Sequence, residues 1–105
     1  MINKNLLITG GSTRIGREIA LHFSKKGWNI AIHYFKSSFE AKKLKSIIEK
    51  NSVKVVLIKA DLRNTKQVEK IIPAAIKKLG KIDCLINNAA LFEKDDILNF
   101  TNKSW

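Results

Sequence analysis

Leu6-Leu7-Ile8-Thr9-Gly10-Gly11-Ser12-Thr13-Arg14-Ile15-Gly16 is the stretch on which the fold turns. Its opening is an apolar run of strand length without polar alternation, as in a strand covered on both faces. Two glycines break the run. Ile15, Ile19 and Phe23 then recur at helical spacing, and Gly27 stands where a helix C-cap would be. Residues 4–27 therefore predict a strand, a tight turn and a helix. Such a turn lets the backbone approach a phosphate. The helix behind it offers unpaired N–H groups and the positive end of its dipole to an anion. Gly16, one turn into the helix, would let helix and strand pack closely against a ligand.

Spacing separates the phosphate loops that could stand here. Gly11 and Gly16 have the separation of a Walker loop, but Arg17-Glu18 follows where Lys and a hydroxyl residue are needed, and Glu18 would repel phosphate. The plain G-x-G-x-x-G fingerprint also fails, because Ser12 holds the place of its second glycine. Read alone, the turn is compatible with nucleotide binding or with a tight connection that holds nothing.

The alternation of strand and helix continues along the chain. Residues 28–34 read as a second strand, and Ser37 with Glu40 has the spacing of a capping box before a helix with Ala41, Leu44, Ile47 and Ile48 on its apolar face. Residues 53–58 read as a third strand. Asn64 with Gln67 caps a third helix carrying the stripe Val68, Ile71, Ile72, Ala75, Ile76 and Leu79, which Pro73 should kink or split and Gly80 should end. Residues 82–86 read as a fourth strand running into Asn87-Asn88-Ala89-Ala90, and Thr101 could cap one more helix. The fold class expected is α/β: a doubly wound, Rossmann-type parallel sheet of about four strands with helices on both faces.

Composition narrows the function. The chain has 105 residues, 45% of them hydrophobic, which suits one globular domain and excludes disorder as its main state. One cysteine, Cys84, excludes a disulfide framework, and two histidines argue against a histidine-built metal site. No stretch has the length of a membrane span and no signal peptide is evident, so a cytoplasmic location is expected. Twenty basic residues against nine acidic ones leave a net charge of +11, which suits acidic partners. The lysines fall mainly on outer helix faces, as at Lys42, Lys43, Lys45, Lys50, Lys77 and Lys78, with no aromatic interleaving, which argues against a nucleic-acid groove.

The end of the second strand speaks to cofactor choice. NAD-binding units place an acid there for the ribose 2′-hydroxyl. Here the residues are His33-Tyr34-Phe35-Lys36-Ser37-Ser38, with no acid before Glu40. Lys36, nearby hydroxyls and a helix N-terminus suit a 2′-phosphate, hence NADP(H), and Arg14 could reach the same group. Asn87-Asn88-Ala89-Ala90 follows the fourth strand at its carboxyl end, where open α/β sheets bind ligands.

Together these residues resemble the short-chain dehydrogenase/reductase family. Its N-terminal half carries T-G-x-x-x-G-x-G, an Asp after the third strand and N-N-A-G after the fourth. This chain has Thr9-Gly10 through Ile15-Gly16, Asp61-Leu62 and Asn87-Asn88-Ala89-Ala90 in that order. Arg14 replaces the middle glycine and Ala90 the last. The Thr-Gly-x-x-x-Arg-Ile-Gly form, the His33–Ser37 segment and Asn88-Ala89-Ala90-Leu91-Phe92 are similar to pteridine reductases and related dihydromonapterin and dihydrofolate reductases. 3-Oxoacyl-carrier-protein reductases share most of the other motifs.

The resemblance implies a cofactor-binding set: Gly10, Ser12, Thr13, Arg14, Ile15 and Gly16 in the turn, Tyr34, Lys36 and Ser37 after the second strand, Asp61 and Leu62 at the adenine, and Asn88, Ala89 and Ala90 at the ribose. Phe92 would stack on substrate, and Asn87 would tie the fourth strand to its neighbours. It implies the strand order 3-2-1-4 for this N-terminal half, a small-molecule substrate with a C=O or C=N bond to be reduced, and homo-oligomers among full-length relatives.

The family's catalytic Tyr-x-x-x-Lys pair is not in this sequence: the one tyrosine is Tyr34, with Ser38 four residues on. Residues 1–105 thus read as a truncated NADP-binding domain, expected to be inactive by itself and prone to aggregate through its fourth-strand edge. A non-catalytic nucleotide-binding module is the alternative, followed by a basic nucleic-acid-binding protein.

Overall fold

The structure, a computed structural model, describes residues 4–12 and 14–88. Four strands, β1 (Asn5–Thr9), β2 (Asn29–Tyr34), β3 (Val55–Lys59) and β4 (Cys84–Asn87), alternate with three helices, α1 (Arg14–Lys25), α2 (Ser38–Glu49) and α3 (Thr65–Leu79). All strand pairs are parallel and the order is β3-β2-β1-β4. This is the expected architecture and strand order. The expected helix after residue 101 lies outside the described residues.

Strand alternation divides the core into two layers. Leu6, Ile8, Ile30 and Ile32 face α1 and α2, where they meet Ala20, Leu44 and Ile48. Leu7, Ala31 and Ile58 face α3, where they meet Ile71, Ile72 and Ala75. Each fully buried Leu or Ile contributes about 1.5–3 kcal/mol, so burial on both sides is what makes these short strands hold.

Helix α1 ends in a Schellman turn. Trp28 N–H donates to Phe23 O at 3.1 Å, Gly27 N–H donates to Ser24 O at 3.0 Å, and Gly27 takes a φ of 90°. The Trp28 ring closes on Phe23 edge-to-face at 5.0 Å. This cap sets where β2 begins, so Trp28 belongs to the turn rather than to the strand.

Three local expectations are corrected, and a fourth, the Asn64 cap, holds. The buried stripe of α1 is Gly16, Ala20 and Ser24, while Ile15 is 68% exposed. Small residues bring this helix close to the sheet, and the larger apolar side chains fall to either side. Pro73 does not split α3, which runs unbroken over 15 residues. Pro73 and Glu69, four residues earlier, are both on the exposed face, so water can take the carbonyl that loses its helical donor. Ser37 occupies the N-cap position of α2 but makes no side-chain capping bond. Asn64 does cap α3, accepting from Gln67 N, yet the Gln67 side chain turns away to accept from Asp61 N at 2.7 Å, so the box is not reciprocal.

The sheet begins one residue earlier than the apolar run, at Asn5, which is 1% exposed. Its side-chain amide donates to Leu79 O and Lys81 O and accepts from Asn29 Nδ2 at 2.9 Å. Its backbone N–H donates to Asp83 Oδ2 at 2.8 Å. A polar residue survives in this interior because its hydrogen-bonding groups are satisfied.

Candidate functional site: the crevice at the carboxyl ends of the strands

The turn at residues 10–12 leaves the carboxyl end of β1, which has β2 on one side and β4 on the other. The chain order reverses between β1 and β4, and open α/β sheets bind their ligands at such a switch point. Gly10 supplies the bend, with a φ of 62°. Arg14 is also left-handed, at φ 51°, in the place where the resembling family carries its middle glycine.

The donors of the turn are divided between the fold and the crevice. Gly10 N–H donates to His33 Nδ1 at 3.1 Å, and Gly11 N–H donates to His33 O at 3.2 Å. Gly10 therefore contributes conformation, its amide being spent inside the protein. The amides that open α1, at Arg14, Ile15 and Gly16, have no carbonyl of their own helix to pair with. The first turn of α1 contains no acidic residue, so nothing there opposes an anion. Arg14 and Ile15 are exposed, whereas Ser12 is buried beneath the turn.

Two glycines admit the close packing. A Cβ on Gly11 would stand 2.7 Å from Ile8 Cγ2. A Cβ on Gly16 would stand 2.8 Å from Gly11 Cα and 2.6 Å from Asn88 Nδ2, and closer still to Gly10 O. Gly16 thus allows the close packing of α1 on the turn that its place in the sequence predicted.

The carboxyl end of β4 is stitched to β1. Thr9 Oγ1 donates to Asn87 Oδ1 at 3.0 Å and accepts from Asn88 N, while Asn88 Nδ2 donates to Gly10 O at 3.1 Å. Asn87 ties the strands together as expected, and Asn88 is brought onto the turn. Thr13, Ala89, Ala90 and Phe92 lie outside the described residues.

At the ends of β2 and β3 a cationic corner forms. Tyr34 closes β2 half-buried, and its carbonyl accepts from Ala60 N at 3.0 Å. Lys36 is exposed and Ser37 half-buried beyond it. Asp61 receives Arg63 N at 3.0 Å and Arg63 Nε at 3.2 Å. The Arg63 backbone N–H is the main reason its carboxyl sits below the ordinary range, with the Arg63 side chain next and Lys36 adding a through-space contribution. Leu62 is half-buried against the α3 side of the core.

Phe35 and Arg63 belong to this corner, and the sequence reading missed both. The Phe35 ring has Lys36 Nζ 5.6 Å and Arg63 Cζ 5.9 Å from its centre, so both cations are drawn to one place. Arg63 follows the Asp61-Leu62 pair with no pattern to mark it. His33 left a signal, a titratable residue within an apolar strand, which the reading weighed only as a metal ligand.

The sheet order, the switch point and the glycine turn define a Rossmann-class nucleotide-binding fold. The family model for short chain dehydrogenases matches residues 4–105, and the chain belongs to that family. The 3-oxoacyl-(acyl-carrier-protein) reductase FabG of Staphylococcus epidermidis is 30% identical over 104 residues, covering 99% of this chain and 43% of that protein. A dehydrogenase/reductase from Sinorhizobium meliloti superposes with a TM-score of 0.82 at 32% identity, over 88% of this chain and 36% of that one. FolM alternative dihydrofolate reductase 1 from Brucella canis, solved in complex with NADP, superposes with a TM-score of 0.79 at 32% identity, over 87% of this chain and 36% of that one. The chain thus spans less than half the length of these relatives. No helix among the described residues is long and apolar enough to cross a membrane.

Proposed function

We propose that this chain holds the ADP-ribose side of NADP(H) for a short-chain oxidoreductase that reduces a C=O or C=N bond. The observation that carries the reading is the cationic corner after β2: Lys36 and Arg63 converge on Phe35 where an NAD site would carry an acid. In this reading the first amides of α1 take the diphosphate and Arg14 and Lys36 take the 2′-phosphate. Ser37, whose side chain is not used to cap α2, adds a hydroxyl beside them. Asp61 and Leu62 border the adenine, and Tyr34, Ser12, Thr13, Ile15, Asn88, Ala89 and Ala90 complete the wall. When bound, the nicotinamide supplies hydride to the substrate carbon.

The protein's own part is binding and orientation. The α1 dipole and the cations neutralise the phosphates, and the Asn88–Gly10 bond holds the turn in shape. Two substrate classes are supported by similarity: a pteridine, as the FolM name and the Phe92 position suggest, and a 3-oxoacyl thioester, as the FabG name suggests.

Calorimetry with 2′-phospho-ADP-ribose and ADP-ribose tests the cofactor assignment. A charge-assisted hydrogen bond contributes about 1.5–3 kcal/mol, so the phosphorylated ligand should bind at least about tenfold more tightly. Lys36→Asp should abolish or reverse that preference. Equal affinities in the unaltered protein would overturn the NADP reading, and binding of neither ligand would overturn the dinucleotide reading.

A further inference from the structure

We infer that His33 is a positioning residue that suspends the glycine turn from the loop after β3, and that protonation of its ring lets the turn go. His33 is 2% exposed in the central strand β2. Its ring lies between two elements of the crevice, with Nδ1 3.1 Å from Gly10 N and Nε2 2.9 Å from Ala60 O. A backbone amide can only donate and a carbonyl can only accept. The two partners therefore assign the ring one neutral tautomer, bare at Nδ1 and protonated at Nε2. The His33 carbonyl holds Gly11 N, so both glycines of the turn hang from this one residue.

Ala60 leads directly into Asp61-Leu62. His33 thus joins the segment that faces the diphosphate to the segment that borders the adenine, a consequence that rests on the dinucleotide reading above. An imidazolium would carry a proton on Nδ1, facing the Gly10 N–H. Donor would then oppose donor in a buried place, and the contact could not survive.

The charged and titratable groups on the surrounding elements do not supply a counter-ion. β1 contributes none over Asn5–Thr9. On β3 and its loop, Lys59 and Asp61 flank Ala60, and Asp61 is engaged by Arg63. At the start of α3 stand Lys66 and Glu69, and Tyr34, Lys36 and Glu40 follow His33 on its own side. On α1, Arg14 opens the helix and Glu18 pairs with Arg17 at 3.7 Å. Among the described residues none of these bonds the ring. Burial is the main influence and lowers the ring's pKa, with the Ala60 bond opposing it. The neutral form, and with it the suspended turn, is therefore complete above the ordinary histidine range. It is lost as pH falls through the lowered value.

ADP-ribose is the probe of choice, because its diphosphate diester has no proton to gain near neutrality, whereas a 2′-phosphate titrates near pH 6. Its affinity should fall at least about threefold as pH drops through the titration of the His33 ring, located by that ring's own nitrogen-15 shifts. His33→Asn, which keeps an amide that can accept and donate but does not titrate, should flatten that profile. A flat profile in the unaltered protein, or the same slope in His33→Asn, would overturn the proposal. Nitrogen-15 resonances decide it without ligand or variant. The Gly10 amide should shift in step with the His33 ring nitrogens, with Nδ1 bare at neutral pH. A Gly10 amide that ignores the His33 titration would refute the coupling, even if ADP-ribose failed to bind and so removed only the dinucleotide reading.

Discussion

The Asn88 side-chain amide lies across Gly16, reaching Gly10 O at 3.1 Å and standing 2.6 Å from where a Cβ on Gly16 would sit. The other close neighbours of that position are the backbone atoms of Gly10 and Gly11, so a methyl group there must move the turn itself. Gly16→Ala gains about 1 kcal/mol of helix propensity but overpacks the crossing. The expected outcome is a net loss of about 1–3 kcal/mol in urea denaturation, together with weaker ADP-ribose binding. An unchanged midpoint would show that the turn has room to spare.

Arg14 presents the opposite trade. Its left-handed φ of 51° is unfavourable for a residue with a Cβ, by about 1–2 kcal/mol. Arg14→Gly relieves that strain and loosens the unfolded chain by about 0.4–1 kcal/mol. Stability should hold or rise slightly, while affinity for 2′-phospho-ADP-ribose falls about tenfold through loss of a charge-assisted bond. Denaturation and calorimetry on the same preparation check both halves. A clear drop in stability would mean that the Arg14 side chain supports the fold.

Asn5 tests whether stability and binding can be separated. It lies at the end of the sheet opposite the crevice and meets Leu79 O, Lys81 O and Asn29. Asn5→Leu would leave these part-buried partners without their bonds, at up to about 1–3 kcal/mol for each group that water does not reach. The denaturation midpoint should fall markedly. ADP-ribose affinity, measured per folded molecule, should not change.

Asp83 gives the acid limb of the stability curve a defined source. Its carboxylate accepts the Asn5 backbone N–H and pairs with Lys81 Nζ at 3.2 Å, and the Asn5 bond is the largest cause of its lowered pKa. The unfolded chain takes up this proton at a higher pH than the folded chain does. The contribution is therefore complete above the ordinary aspartate value and lost as pH falls through the lowered one. Asp83→Asn should reduce the slope of stability against pH on the acid side. A slope equal to that of the unaltered protein would assign the acid sensitivity to other carboxylates.

What residue order alone determined was the succession of elements. Leu6–Ile8 is apolar throughout because its strand is covered twice, and Ala41, Leu44 and Ile48 share one helix face because 3.6 residues complete a turn. The glycines, Asp61 and the two asparagines could be placed on particular turns because those turns follow strands. Only the folded chain decided which groups meet across 23 to 79 positions of sequence: Gly10 with His33, Asn5 with Asp83, Thr9 with Asn88. It also decided that small residues, not Ile15, face the sheet from α1, and that Pro73 falls on the exposed face of α3. Periodicity reports which way a side chain points relative to its own helix or strand. Hydrogen-bond partners and contact distances depend on how separate elements are set against one another, and no local pattern encodes that.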